Sequence, residues 1–251
     1  MKILIRIVAV VAVLAIVGLV VLYFSLGGIV KKGVESVGPM VTKVDVKLGG
    51  ANISPFSGNG QLSGLVVGNP EGFKTPSAIK VGEVSVGVKP GSLFADKVVV
   101  TSVRVINPEI TFEGSLKGSN LSKILDNVNA AAGSAGGGGG SNGPGKKLQV
   151  DEFVISGAKV NLSATLLGGK SITVPLPDIR LTDLGKDANG ITAGELTQRV
   201  MKALMQEVTQ AAGSAITSLG KGATDAVKDL GGKGTDGVKK AAEGVKSLFK
   251  K

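Results

Sequence analysis

Glu83-Val84-Ser85-Val86-Gly87-Val88 sets a valine at every second position, between charged, polar or small residues. Successive side chains of a strand point to opposite faces, so Val84, Val86 and Val88 share one face of a sheet. The same alternation occurs upstream in Lys43-Val44-Asp45-Val46-Lys47-Leu48. It returns downstream at Val103 and Val105, then at Ile110 and Phe112. Turn-forming groups separate the runs: Ser57-Gly58-Asn59-Gly60, Gly68-Asn69-Pro70-Glu71-Gly72, Lys89-Pro90-Gly91-Ser92 and Ile106-Asn107-Pro108. Short strands punctuated this often predict an antiparallel meander over residues 42–114.

A brief helix follows, capped at Ser119 or Asn120, with Leu121, Ile124, Leu125 and Val128 on its apolar face. Residues 133–145 are almost entirely glycine, serine and alanine, a composition that buries no apolar area and reads as a flexible insertion. Strand patterns then resume at Leu148 and Val150 and at Ala158, Val160, Leu162 and Ala164. A third run, Ile172, Val174 and Leu176, is interrupted by Pro175 and Pro177. Proline cannot donate to a ladder, so this run suits a sheet edge or a strand end. Ile179 and Leu181 start a fourth, and all four are expected to continue the first sheet. Thr192-Ala193-Gly194-Glu195 is a capping box. Behind it Leu196, Val200, Leu204 and Val208 mark an amphipathic helix that packs on the sheet.

Both ends of the chain carry membrane signals. From Ile7 to Val30 there is no charge, and Lys2 and Arg6 precede the run while Lys31 and Lys32 follow it. About 20 apolar residues at 1.5 Å each match a hydrocarbon core of about 30 Å. A cleaved signal peptide has an apolar region of only about 7–15 residues, so an anchor is the better reading. Tyr23 and Phe24 stand where aromatic rings favour the headgroup layer. At the other end Ile216, Val227, Val238 and Phe249 recur at a spacing of eleven, in step with Leu219 and Leu230 and with Lys228, Lys239 and Lys250. Three turns of helix take about 11 residues, which keeps these apolar residues, with Val245, on one face and lysines around the other. That is the pattern of a helix lying on an anionic membrane surface. Seven glycines between Gly220 and Gly244 weaken such a helix in water, so the surface would have to supply its burial. The resulting division is an anchor at 1–30, a β-rich unit at 31–212 with its insertion at 133–145, and a basic tail at 213–251.

Composition removes most chemistry. Without histidine or cysteine there is no Ser-His-Asp triad, no Cys-His nucleophile and no ordinary zinc or haem site. Asp151-Glu152 and Asp178 with Asp183 are the acidic clusters, and no base, nucleophile or metal set accompanies them in sequence. The reading is a non-enzyme with no catalytic residue, no metal and no cofactor. A net charge of +10 points to nucleic acid or an anionic membrane. Aromatic residues make up 3 % of the chain, with no tryptophan, and single-stranded nucleic acid is held on aromatic platforms. Membrane phospholipid is therefore the expected partner.

Beyond the anchor, Gly60-Gln61-Leu62-Ser63-Gly64-Leu65-Val66-Val67-Gly68-Asn69-Pro70-Glu71-Gly72-Phe73, Lys80–Val86 and Val98–Phe112 with Asn107-Pro108-Glu109 resemble the AsmA family of Gram-negative envelope proteins. The short, single-anchor members are the most similar, and Pro175–Gly185 resembles their ends; the likeness spans Met1 to Val208. It implies a single pass through the inner membrane with the following domain in the periplasm, and a part in outer-membrane biogenesis. Larger relatives form grooved sheets that carry phospholipid. The groove positions expected here are Val84, Val86, Val88, Val103, Val105, Ile110 and Phe112, for which ordinary core beneath the helix at 192–210 is the alternative. About 15 strands at about 4.8 Å reach at most about 70 Å, too short for one copy to bridge a periplasm. The family offers no catalytic motif. The fold expected is α+β: a transmembrane helix, an antiparallel β-rich sheet with a few packing helices, and a C-terminal amphipathic helix. Phospholipid binding or transfer is the expected function, with other envelope proteins as further partners. A non-transporting scaffold, whose tail binds an anionic membrane, is the alternative.

Overall fold

The alternating runs on both sides of the glycine-rich stretch enter one 11-stranded sheet. The computed structural model describes residues 25–115, 118–135, 146–164, 171–187 and 189–229, and these form an α+β structure with helices on a mixed sheet. A helix over 25–42, α1, leads into β1 (Val46–Lys47), β2 (Gly50–Ser54), β3 (Asn59–Val67) and β4 (Ile79–Val88). A 3₁₀ turn at Pro90–Phe94 precedes β5 (Lys97–Ile106), β6 (Glu109–Ser115), β7 (Gly118–Ser119) and α2 (Asn120–Ala135). Then come β8 (Lys147–Ser156), β9 (Lys159–Ala164), β10 (Ser171–Pro175), β11 (Ile179–Leu184) and α3 (Ala193–Asp229).

Many of these elements are halves of one strand. β1 and β2 share a single register against β3, and β5 and β6 share one against β4. β8 and β9 follow β5 and β6 in unbroken parallel register, and β10 and β11 do the same, antiparallel, against β9 and β8. A seam crosses the resulting sheet at Leu48-Gly49, Gly64-Leu65, Val81-Gly82, Asn107-Pro108, Gly157-Ala158 and Leu176-Pro177. At the seam the spacing of core-facing residues changes from two to three: Val81 to Val84, Val105 to Pro108, Ile155 to Ala158, Leu176 to Ile179. Gly64, Asn107 and Gly157 take the left-handed conformation there, with φ of 64°, 49° and 64°. One extra residue in one strand would break its pairing. Here every strand makes the change on the same line, and the registers survive.

Two expectations are corrected. Ile106-Asn107-Pro108 is not a hairpin turn, because β5 and β6 run on in one direction along β4. Asparagine tolerates positive φ, and the ladder continues through it: Asn107 N–H donates to the Ser156 carbonyl (2.8 Å) and Lys159 N–H to that of Pro108 (3.0 Å). The sheet is also mixed rather than antiparallel, since β5 with β8 and β6 with β9 are parallel. The segment that carries α2 crosses over and lets the chain re-enter in the same direction. The proline-bearing run behaves as expected, with β10 at the end of the strand order.

The helices cover the sheet on one side of the seam, and α3 reaches past it to β11. Leu121, Ile124 and Val128 of α2 and Met201, Leu204, Val208 and Ala212 of α3 pack on Ile110, Phe112, Val160 and Leu162. The helix–sheet contacts of α2 and α3 go mainly to β6, β7, β10 and β11. Ser119 caps α2: its hydroxyl accepts the Ser122 N–H (3.0 Å), and the Ser122 hydroxyl accepts the Ser119 N–H (2.9 Å). The capping box of α3 forms as predicted, Thr192 N–H to Glu195 Oε2 (2.6 Å) and Glu195 N–H to Thr192 Oγ1 (3.1 Å). α2 takes in Gly133–Ala135, and the backbone of α3 continues without a break through residue 213 to Asp229. The side chains of Ile216, Leu219, Val227 and Lys228, and all of 230–251, lie outside the described residues, as do 136–145. No helix among the described residues is long and apolar enough to cross a membrane. The predicted anchor lies outside them except for 25–30, which begin α1.

Candidate functional site

Across the seam from the helices, the same face of the sheet is built of cross-strand apolar rows. Val84, Val105, Ile155 and Ile179 form the row nearest the seam; next is Val86, Val103, Phe153 and Leu181, all half-buried. The row of Val88, Val100, Val150 and Leu184 follows after a second change of spacing, marked by the register shift at Gly87/Val88 and by Asp183 at φ 56°. Over Val150 and Leu184 the sheet is closed by Ile191 and Leu196.

At the β4–β5 end Val86, Val88 and Val103 keep partial access to solvent. α1 borders this strip, running back along β1 and β2 with Gly38 against Val46 and Gly27 against the Ala51 carbonyl. Glu35 fixes it there by accepting the Leu48 N–H (3.1 Å), and Lys31 Nζ donates to the Gly49 carbonyl (3.4 Å).

The seven expected groove residues thus divide. Ile110 and Phe112 belong to the core under α2 and α3, and Val84 is buried. Val86, Val88, Val103 and Val105 are half-buried, and the first three floor the open strip. Sequence reasoning missed Phe153 and Leu181, which extend the Val86–Val103 row; only the parallel pairing of β5 with β8 brings them there.

The opposite face of these strands is polar. Asn52, Ser54, Gln61, Ser85, Ser102 and Arg104 line a concavity of about 430 Å³. Beside it Glu152 joins Arg104 (3.2 Å) to Arg180 (3.0 Å). The other acids considered from sequence are spread out. Asp151 accepts from Gln149 Nε2 (2.7 Å), Asp178 from the Gly157 N–H (3.2 Å) and Asp183 from Lys186 Nζ (2.9 Å). Among the described residues no cluster of potential metal ligands occurs.

A polar knot below the seam was not legible beforehand. Asn120, fully buried, accepts the Glu113 N–H (2.9 Å) and donates to Asn69 Oδ1 (2.7 Å) and the Thr111 carbonyl (2.8 Å). Asn69 in turn donates to Thr75, and buried Glu113 accepts the N–H groups of Lys74 (2.9 Å) and Thr75 (2.8 Å) and the Thr75 hydroxyl (2.8 Å). Burial pushes the Glu113 carboxyl up. The Lys74 and Thr75 hydrogen bonds, with the Lys74 charge, outweigh that and hold it below the ordinary glutamate value. Every member has partners, which marks the knot as a brace that ties the 68–78 loop to the start of α2. Asn120 was expected only as a possible cap, and nothing in its neighbours signals the loop it meets.

No protein-family model matches the chain, and no curated protein is similar to it.

Proposed function

We propose that this chain is a short, single-anchor envelope protein of AsmA type, held in the inner membrane by the N-terminal apolar run upstream of Ser25, with its sheet in the periplasm. In this reading it takes part in outer-membrane and envelope biogenesis by binding or transferring phospholipid. The observation that carries the reading is the strip of Val86, Val88 and Val103, partly open to solvent on the face whose other half is sealed by α2 and α3. An acyl chain laid along it would lose water contact at about 25 cal/mol per Å² of apolar surface buried. The polar reverse face would stay in water. Ile110 and Phe112 take no part, because reaching them requires lifting α2.

A phospholipid-transfer assay tests the reading. The full chain, reconstituted in donor vesicles, is expected to speed the passage of labelled phospholipid to acceptor vesicles. Val103→Asp should abolish the gain, while Gln61→Asp on the polar face should keep it. An equal rate with and without the protein refutes transfer.

The scaffold reading rests on α3, whose 37 residues span about 55 Å at 1.5 Å each and run past Ala212, the last buried position among the described residues, into the basic repeat. It predicts that a peptide of residues 213–251 gains helical circular dichroism on anionic vesicles and none on neutral ones. No gain on either removes the tail from the account.

A further inference from the structure

Phe94 and Phe56 are the most exposed large apolar residues described, at 92 % and 82 %. Scattered apolar exposure is ordinary, but these two lie at the same end of the sheet. Phe56 is in the turn between β2 and β3, and Leu93 and Phe94 end the 3₁₀ turn between β4 and β5. The turns touch: the Val88 N–H donates to the Gly58 carbonyl (2.7 Å), and a side chain at Gly58 (φ 73°) would meet the Val88 carbonyl and Pro90. Lys146 Nζ binds the Leu93 carbonyl. Lys89 opens the 3₁₀ turn and Lys97 and Lys147 start the adjacent strands, so basic residues surround the apolar tip. Lys186 at the same end is paired with Asp183, and Asp96, Asp151, Asp187 and Glu195 are further acids near these lysines.

The direction of α1 says what this end faces. From Gly38 beside Val46 the helix runs back to Gly27 beside Ala51, toward the β2–β3 turn that holds Phe56. Eleven helical residues at 1.5 Å and five strand residues at 3.3 Å both cover about 16 Å, so the two keep pace. Ser25, where the described part of α1 starts, therefore lies toward the end that bears Phe56 and Phe94.

We infer that Phe56, Leu93 and Phe94 form an interfacial foot that seats in the bilayer holding the N-terminal segment, with lysines at the anionic headgroups. Apolar rings in the acyl boundary and cations above them match the interfacial preference of each. The foot would stand the strands upright on the membrane and set the open end of the Val86–Val88 strip at its surface. It rests on the anchor reading, and not on lipid transfer.

The chain has no tryptophan, so a single introduced one reports alone. Full-length Phe94→Trp and Phe56→Trp are reconstituted in phosphatidylglycerol–phosphatidylcholine vesicles carrying brominated acyl chains. Ile106→Trp, exposed but at the seam, serves as reference. Vesicle flotation reports the anchor separately. The foot predicts blue-shifted emission and loss of most fluorescence for the two tip variants, with neither change at position 106. Floating protein whose tip tryptophans stay unquenched overturns the foot and leaves the anchor intact. A blue shift without quenching, growing with protein density, assigns the tip to a second copy and overturns it as well. Protein that does not float removes the anchor and the foot together.

Discussion

The two sides of the seam use one sheet in different ways. Below it, Ile110, Val160 and Leu162 lie under α2 and α3 at exposures of 0–3 %. Above it, Val86 and Val103 stand in the same face and are only half-buried. Alternation of valine with polar residues is equally regular in both. The difference comes from where α2 and α3 dock, and the lesson is that periodicity specifies a buried face without naming its cover.

The comparison breaks hardest if its two halves respond alike to truncation. Ile110→Ala should cost about 2–5 kcal/mol in urea unfolding, because the cavity lies in a fully packed site. Val86→Ala should cost under about 1 kcal/mol, since half-exposed positions lose little packing. Similar losses at both would mean that something covers the upper strip.

Glu113→Ala should destabilise by about 2–3 kcal/mol, leaving the Lys74 and Thr75 N–H groups unpaired. The same carboxyl gives a pH signature. Its folded pKa lies below the ordinary glutamate value, so its stabilisation is complete above that ordinary value and is lost as pH falls through the lowered one. Thermal melts of wild type and Glu113→Gln should converge in that acid window, and parallel curves throughout would show that the knot does not depend on ionisation.

Gly157→Ala sharpens the seam itself. The new methyl would sit at φ 64° against Asn107 Oδ1, a loss of about 1–2 kcal/mol from the backbone alone, readable by urea titration. Gly82→Ala, with open space at its Cβ and a φ outside the left-handed region, should be milder.

Much of this fold was readable. Most strands, though not β2 and β3, a cap at Ser119 or Asn120, the Thr192 capping box and the edge placement of the proline-bearing run follow from local patterns. The seam was half-visible, in the three-residue steps from Val81 to Val84 and from Val105 to Pro108, but Asn107-Pro108 reads locally as a turn. Only cross-strand pairing shows that the chain continues straight on. The division of the groove residues was not readable either, because Ile110 and Val103 differ in neighbours and not in type. The Asn69–Glu113–Asn120 knot joins residues up to 51 positions apart, beyond any local signal.

The central claim is that the upper strip, and not the sealed half, meets acyl chains. Photoreactive benzoylphenylalanine placed at Val103, Ile110 or Gln61 of the full chain in native membranes tests it directly. The account predicts phospholipid adducts at position 103 and none at 110 or 61. Adducts at all three, or at none, would contradict it.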